Sequence, residues 1–466
     1  MFTNKMKKLL YLFIFFTNIS FAQQKEIFTV DAFIQLIKQN HPVAKQANIQ
    51  VEKAKAELLS AKGGFDPIIA MDADRKTFDG KNYYFRTNPE IKIPTPIGVD
   101  VKTGVENNGG NNLSSELSSG KTSYAGVEVA LAKGLLIDKR RAVLQQAKIF
   151  TNQSEQERLK MLNDLLFDAY ISYWQWAGNY QLYSIYSKYL QISNDRLRLV
   201  KIAYTNGDRA WADTIEAFTQ VQNFQLLQAD AQLKLTISVF DLSNYLWLKN
   251  DSAYILPEKF VPDTVQFAIK ETLPALNDIV AKATIENPAI KAYNYKIDAL
   301  EVDRRLKFQS LLPVVNLKAN LLNKDYYVLK GFNGVFLENN YKWGIDFKLP
   351  LFLREGRGEY KKAKLKITET NLELNAKRWQ IENKVRSYFT EASLLQQQLN
   401  TVTNMYNNYN ILLKTEVLKF NNGESSLFII NSRENKVIES VQKQIELKVK
   451  YFKAKYAVDW AAGLLR

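Results

Sequence analysis

The residue types that do chemistry are scarce in this chain, and their spacing assembles no reactive site. Of 466 residues one is a histidine, His41, and none is a cysteine. Thiolate nucleophiles, disulfides and clustered-histidine metal sites are therefore excluded together. His41 stands beside Pro42 at the start of a periodic segment, where a capping or boundary role outweighs catalysis. No P-loop, GxSxG or HExxH string occurs. Carboxylate pairs recur along the periodic segments so often that no single pair marks an acid and base. The expectation is a protein that is not an enzyme and holds no cofactor or metal. The richest aromatic stretch, Trp174 to Tyr189, offers a stacking platform in principle. The adjoining Tyr173 and its Trp176, Tyr180 and Tyr183, however, step by three and four, which is the spacing of a helix-packing stripe.

The elements that must position these residues are set by composition. Lys5, Lys7 and Lys8 precede an apolar run from Leu9 to Phe16 and small residues at Ser20 and Ala22. That is a secretory leader over 1–22, with a mature chain starting near Gln23. No later stretch reaches about eighteen consecutive apolar residues, so a membrane could be met only by a barrel or a surface-bound element. The formal charge of +15, less the leader's three lysines, leaves +12. Those lysines are interleaved with Glu, Asp and Gln as on solvated helix faces, which together with export argues against nucleic acid.

The chain also repeats itself. Pro42 and Pro288 each follow a short amphipathic segment, and Pro67 and Pro313 follow them at the same offset of 246. Arg141, Ala147 and Gly207 then match Arg357, Ala363 and Gly423 at an offset of 216. Between the anchors the first copy spans 59 residues from Pro67 to Gly126 where the second spans 31 from Pro313 to Gly344, an insertion of 28. Its Gly, Asn and Ser content over Glu106 to Ser123 predicts an exposed loop. The division reads as leader 1–22, first repeat 23–249 with strands within 67–133, linker 250–272 and second repeat 273–466 with strands within 313–350.

Each repeat reads helix, strand, strand, long helix, turn, helix. The helices fall at Val43 to Ala61, Lys139 to Tyr204 and Arg209 to Leu248, then at Ala289 to Gln309, Glu355 to Phe420 and Ser425 to Ala462. The long ones carry heptad seams, as in Ile381, Val385, Tyr388, Ala392, Leu395, Leu399, Val402, Tyr406, Tyr409, Leu413, Val417 and Phe420. A helix of roughly 62 residues is about 93 Å long, more than a compact domain needs. The strands alternate instead. Val127, Val129 and Leu131 oppose Glu128, while Trp343, Ile345, Phe347 and Leu349 oppose Lys342, Asp346 and Lys348. Such alternation suits a membrane barrel wall with those seven residues toward lipid. Four strands cannot close a barrel; two chains would give eight, filled by side chains, and three would give twelve with room for a pore. The long helices end at Thr205, Asn206, Gly207, Asp208 and Arg209, and at Asn421, Asn422, Gly423, Glu424 and Ser425. Asn and Gly close helices there, and the acidic and hydroxyl residues suit the start of the next.

With its leader, its two-copy order, its Asn40-His41-Pro42 and Asn287-Pro288 starts and its turns at Gly207 and Gly423, the chain resembles the TolC-like outer membrane efflux family over nearly all of its mature length. The resemblance implies a mainly helical fold with a β-barrel: a homotrimer whose twelve strands, four membrane strands from each protomer, cross the outer membrane and whose helices form a periplasmic α-barrel. It implies a passive conduit, in efflux or type I secretion, for cargo delivered by an inner-membrane transporter and a periplasmic adaptor that docks at the two turns. The extra residues of the first copy are expected as a longer extracellular hairpin or loop. The rival is a periplasmic coiled-coil scaffold or adaptor with no barrel, which would share leader and heptads but lack matched strand pairs.

Overall fold

The structure, a computed structural model, describes residues 25–265, 267, 273–325 and 340–466. The leader lies outside the described residues, as do 266 and 268–272 of the linker. In chain order the elements are β1 (Glu26–Phe28), α1 (Val30–Asn40), α2 (Pro42–Lys62), β2 (Ile68–Phe78), β3 (Lys81–Pro94), β4 (Val99–Gly109), β5 (Gly120–Ala130), α3 (Lys139–Thr205), α4 (Trp211–Ser243), β6 (Phe260–Pro262), α5 (Leu276–Glu286), α6 (Pro288–Phe308), β7 (Val314–Lys324), β8 (Tyr341–Lys348), α7 (Arg354–Asn421) and α8 (Leu427–Ala462). The helix bounds lie within a few residues of those read from periodicity, except that α4 stops at Ser243 rather than Leu248. Two compact units result. Of the described residues, one gathers those of 25–46, 161–283 and 381–466; the other gathers those of 47–160 and 284–380.

The second of these holds one antiparallel sheet in the order β2-β3-β4-β5-β7-β8. Among the described residues six strands replace the four expected. The first half of the chain supplies four of them because the segment after Pro67 alternates as well, with Ile69, Met71 and Ala73 against Asp72 and Asp74, and then folds back on itself. Asp79 and Gly80 both have positive φ, 52° and 70°, the two-residue turn whose twist matches a hairpin. The predicted loop over 106–123 also shrinks. Asn107 pairs with Lys121 and Asn108 with Gly120, so only Gly110 to Ser119 lies between the strands. The Asn108 amide stabilises this end by donating to Glu106 at 3.1 Å and to the Ser118 carbonyl at 3.3 Å. The halves of the chain meet at β5 and β7, and the pairing continues past the strands as Leu131 N–H donates to the Val315 carbonyl at 2.7 Å. Below the sheet, Ile137, Ala142 and Val302 form a small core with Ile149 and Leu306, joining the first turns of α3 to α6.

The first unit is helical and its core is aromatic. Tyr173, Trp174, Trp176, Phe33 and Ile37 are buried with Leu166, Leu242 and Phe452. Trp174 stacks on Phe452 at 3.8 Å between centroids, and Tyr170 on Tyr456 at 3.8 Å. Tyr173 and Trp176 thus pack as their spacing implies, and Trp174 is buried beside them because α3 has neighbours on two sides. The short parallel pair β1–β6 is pinned to this core by the Tyr173 hydroxyl, which donates to the Phe28 carbonyl at 2.7 Å. Along α7 the heptad positions Ile381, Val385, Ala392, Leu395 and Val402 are buried, whereas Val417 near the end of the helix is 36 % exposed.

His41 is a boundary residue here. Its N–H closes α1 on the Ile37 carbonyl, its Nδ1 accepts from Val43 N–H at 3.2 Å, and its ring lies against Tyr245. Burial lowers its pKa, with a backbone hydrogen bond opposing. A histidine held neutral by the fold takes up its proton more readily when unfolded, so its contribution to stability is present above the unfolded pKa near 6.5 and is lost as pH falls below it. The expected outcome is that His41→Gln narrows the drop in thermal midpoint between pH 7.5 and pH 5 relative to the parent protein. An unchanged drop would show that this group does not report folding.

Candidate functional site

Register decides what the sheet presents. Because directly paired residues in an antiparallel ladder share a face, the pairings can be followed from strand to strand. Ile69 lies opposite Ile91 and Met71 opposite Pro89, and Ile93 lies opposite Val101. Val101 is opposite Val127 and Val99 opposite Val129; Val129 is opposite Leu317; Leu317 is opposite Ile345 and Val315 opposite Phe347. One face of all six strands is therefore largely apolar, and large parts of it are bare, with Trp343 and Phe347 each 64 % exposed. Val127, Val129, Trp343, Ile345 and Phe347 all lie on it. Leu131 and Leu349 stand one residue beyond β5 and β8.

The opposite face is charged. Lys92 pairs with Asp100 at 3.1 Å and Glu128 at 3.4 Å, and Arg140 from the first turn of α3 reaches Asp100 at 2.9 Å. Lys318 pairs with Asp346 at 2.9 Å and Arg86 with Asp74 at 2.7 Å. Tyr124 lies over Gly104, where a Cβ would meet its hydroxyl at 2.6 Å. From there it donates to Glu90 at 2.6 Å. Opposite charges thus meet at several points of this face, while Lys102, Lys348 and Asp72 add charge without an ion pair of this kind. A sheet apolar on one side and ionic on the other can separate lipid from water.

The two helix turns belong to the helical unit and adopt the same geometry. Gly207 and Gly423 are left-handed at φ 82° and 79°. Asp208 N–H donates to the Ala203 carbonyl and Gly207 N–H to Tyr204, with Glu424 to Lys419 and Gly423 to Phe420 repeating the pattern. These are paired Schellman closures. Asn206, Asp208, Asn421, Asn422 and Glu424 are exposed, as is Thr205, while Arg209 and Ser425 are half-buried. The start of the next helix differs from expectation: Ala210, not Asp208, occupies the cap of α4, and Ser426 caps α8 with no side-chain bond. The reason is that the closures consume the backbone around Asp208 and Glu424, while the Ser425 hydroxyl turns to Glu416. The turns also touch, since the Arg209 guanidinium lies 4.2 Å from the centre of the Phe420 ring, a cation–π contact.

Behind the turns is a feature that sequence reasoning missed. Arg196 of α3 binds Glu434 of α8 through two bonds at 2.7 and 2.9 Å, and the Glu434 side chain is 2 % exposed. Gln220 of α4 donates to Asn435 at 2.9 Å and toward Glu434 at 3.4 Å, and Asn431 joins Arg196 at 3.1 Å. The signal was present: Leu427, Ile430, Glu434, Val437 and Val441 step by three and four, placing a carboxylate on an apolar stripe. Asp79-Gly80, a strong hairpin dipeptide, was likewise the unread signal for β2 and β3.

No protein-family model matches the chain, and comparison with curated proteins finds no match. Solved structures do. The MtrE outer membrane channel of Neisseria gonorrhoeae superposes with a TM-score of 0.64 at 13 % identity, covering 94 % of this chain and 89 % of that one. The outer membrane protein VceC of Vibrio cholerae gives 0.63 at 15 %, covering 93 % and 96 %. The CmeC outer membrane channel of Campylobacter jejuni gives 0.62 at 14 %, covering 94 % and 86 %. The fold is that of the TolC-like outer-membrane channels. At these identities the likeness concerns backbone architecture, and the side-chain sites above are this chain's own. In a TolC-like fold the buried Arg196–Glu434 pair ties the first-half helices to the last helix.

Removing one partner of a buried pair leaves the other charge unsatisfied, at a cost of about 3–5 kcal/mol. Arg196→Met and Glu434→Met are each expected to lower the thermal midpoint sharply, and the double variant to recover a large part of the loss. Additive losses in the double variant would mean that the two side chains do not depend on each other.

Proposed function

We propose that this chain is one subunit of a trimeric outer-membrane channel, a passive conduit through which cargo from an inner-membrane transporter and a periplasmic adaptor leaves the cell. It does no chemistry and uses no cofactor. The observation that carries the reading is the six-stranded sheet with one bare apolar face, one ion-paired face and two open edges, set in the fold of known outer-membrane channels. A water-soluble scaffold would expose that apolar face to solvent at a cost, and would leave both edges as aggregation sites. The division into leader, two repeats and linker stated above belongs to the same reading. So do the assignments of Val127, Val129, Leu131, Trp343, Ile345, Phe347 and Leu349 to lipid, and of the residues from Thr205 to Arg209 and Asn421 to Ser425 to adaptor docking. Six strands alter the arithmetic of closure, since two copies already give twelve; the trimer rests on the resemblance rather than on strand count.

Two experiments test it. A lysine on the lipid side of a barrel costs about 2–4 kcal/mol near the midplane, so Ile345→Lys is expected to deplete the heat-modifiable oligomer in outer-membrane fractions. Asn316→Lys, on the ionic face beside Asp346, is expected to leave it intact. Equal tolerance on both faces, or a protein that washes off the membrane, would favour the scaffold instead.

The turns are tested separately. Asp208→Lys and Glu424→Lys change exposed groups, where substitution costs little stability. Export by intact cells is expected to fall at least tenfold while oligomer abundance stays near normal. Unchanged export in both would remove the turns from the mechanism.

A further inference from the structure

The extra hairpin points to a wider pore. We infer that β2 and β3 are wall strands, that β2 of one copy pairs with β8 of a second copy, and that three copies close an eighteen-stranded barrel. This rests on the trimeric channel reading above.

Four observations carry it. The insertion of 28 residues in the first half is spent on a hairpin of 11 and 14 residues, and strands of about 9–11 residues suffice to span a bilayer. Wall strands can be added only in pairs if the flanking helices are to stay on one edge of the sheet, and a pair is what is added: α2 still leads into β2 where β5 leads out to α3. Parity is continuous, since Ile69, Met71 and Ala73 extend the apolar face and Asp72, Asp74 and Lys76 the ionic one. Finally, β2 and β8 are exposed at every residue. Among the described residues each has one neighbour, and each presents a row of N–H and C=O groups that no other described strand pairs.

A second copy is the occupant that fits those edges. With six strands per copy β2 and β8 run antiparallel at the junction, so the alternation of directions continues around the ring. The inner faces carry opposite charge in excess, Asp72 and Asp74 against Lys76 on one edge and Lys342 and Lys348 against Asp346 on the other. On the outer faces Ile69 and Met71 continue the row of Trp343, Ile345 and Phe347. With strands about 4.8 Å apart and tilted about 40°, eighteen strands give a wall about 36 Å across, against about 24 Å for twelve. Walls of sixteen to eighteen strands enclose water, so the outer-membrane section would not be where cargo is sieved by size.

The natural absence of cysteine makes the junction directly testable. Met71→Cys on β2 would be combined in turn with Trp343→Cys, Ile345→Cys and Phe347→Cys on β8, and Val101→Cys on β4 with the same three. A bismaleimide would be added to outer membranes after single-cysteine variants are shown to assemble. The expected result is covalent trimer from at least one Met71 pair and none from Val101, with a mass of three copies and a wall near 36 Å in electron micrographs viewed down the pore. Cross-links from Val101 with none from Met71 would place the hairpin outside a twelve-stranded wall, overturning the inference while leaving the trimeric channel standing. Met71 cross-links at a mass of two copies would overturn the trimer itself.

Discussion

Parity of the strand register is the constraint on which the sheet, and with it any channel function, depends. Successive side chains in a strand point to opposite faces, so a slip of one residue would carry Val127, Val129, Trp343 and Ile345 to the ionic side and bring Lys318 and Asp346 to the apolar one. The register is held from both ends. At the hairpin end the Asp79-Gly80 turn and the bulge between Lys76 and Thr77, which shifts the pairing by one residue, set it together, and Leu131, bonded to Val315, sets it where the halves of the chain meet. Ion pairs across the strands, such as Lys92 with Asp100 and Glu128, add a second lock, because they form only when opposite charges share a face.

The helical unit answers a different problem. Long helices need contacts along their length, and here aromatic stacking supplies them: Trp174 on Phe452 and Tyr170 on Tyr456 join α3 to α8. Toward the turns the apolar packing continues through Leu197, Val200, Val221 and Leu427, and a charged cluster around Arg196 and Glu434 is set into it. Buried ion pairs add little net stability over apolar packing but demand one partner and one geometry. The cluster therefore specifies which helices meet just behind the turns, and the contact of Arg209 with Phe420 joins the turns themselves.

Sequence periodicity carried most of the helical account. The seams along α3 and α7, the Asn-Gly closures at Gly207 and Gly423 and the core role of Tyr173 and Trp176 all follow from local rules, since spacing along a helix maps directly onto a face. Where local rules compete, the fold settles the outcome. Asp208 was expected to cap α4, but a Schellman closure and an acidic cap cannot share the same backbone, and Ala210 took the position. The Asn- and Gly-rich run from Glu106 to Ser123 was expected as a loop, yet its ends pair as strand because their neighbours in β4 and β5 were already aligned.

What the sequence determined by itself were the properties that depend on neighbours a few residues away: helix limits, alternation, turn chemistry, the absence of reactive groups and the 28-residue difference between halves. Tertiary structure decided what depends on residues far apart. That Pro67 to Pro94 adds two further strands to one sheet, that β5 pairs with β7, and that Arg196 finds Glu434 across 238 positions are outcomes of backbone pairing and burial between distant segments. Alternation makes a strand possible, but only a partner of matching parity, placed by the rest of the fold, satisfies its N–H and C=O groups and makes it one.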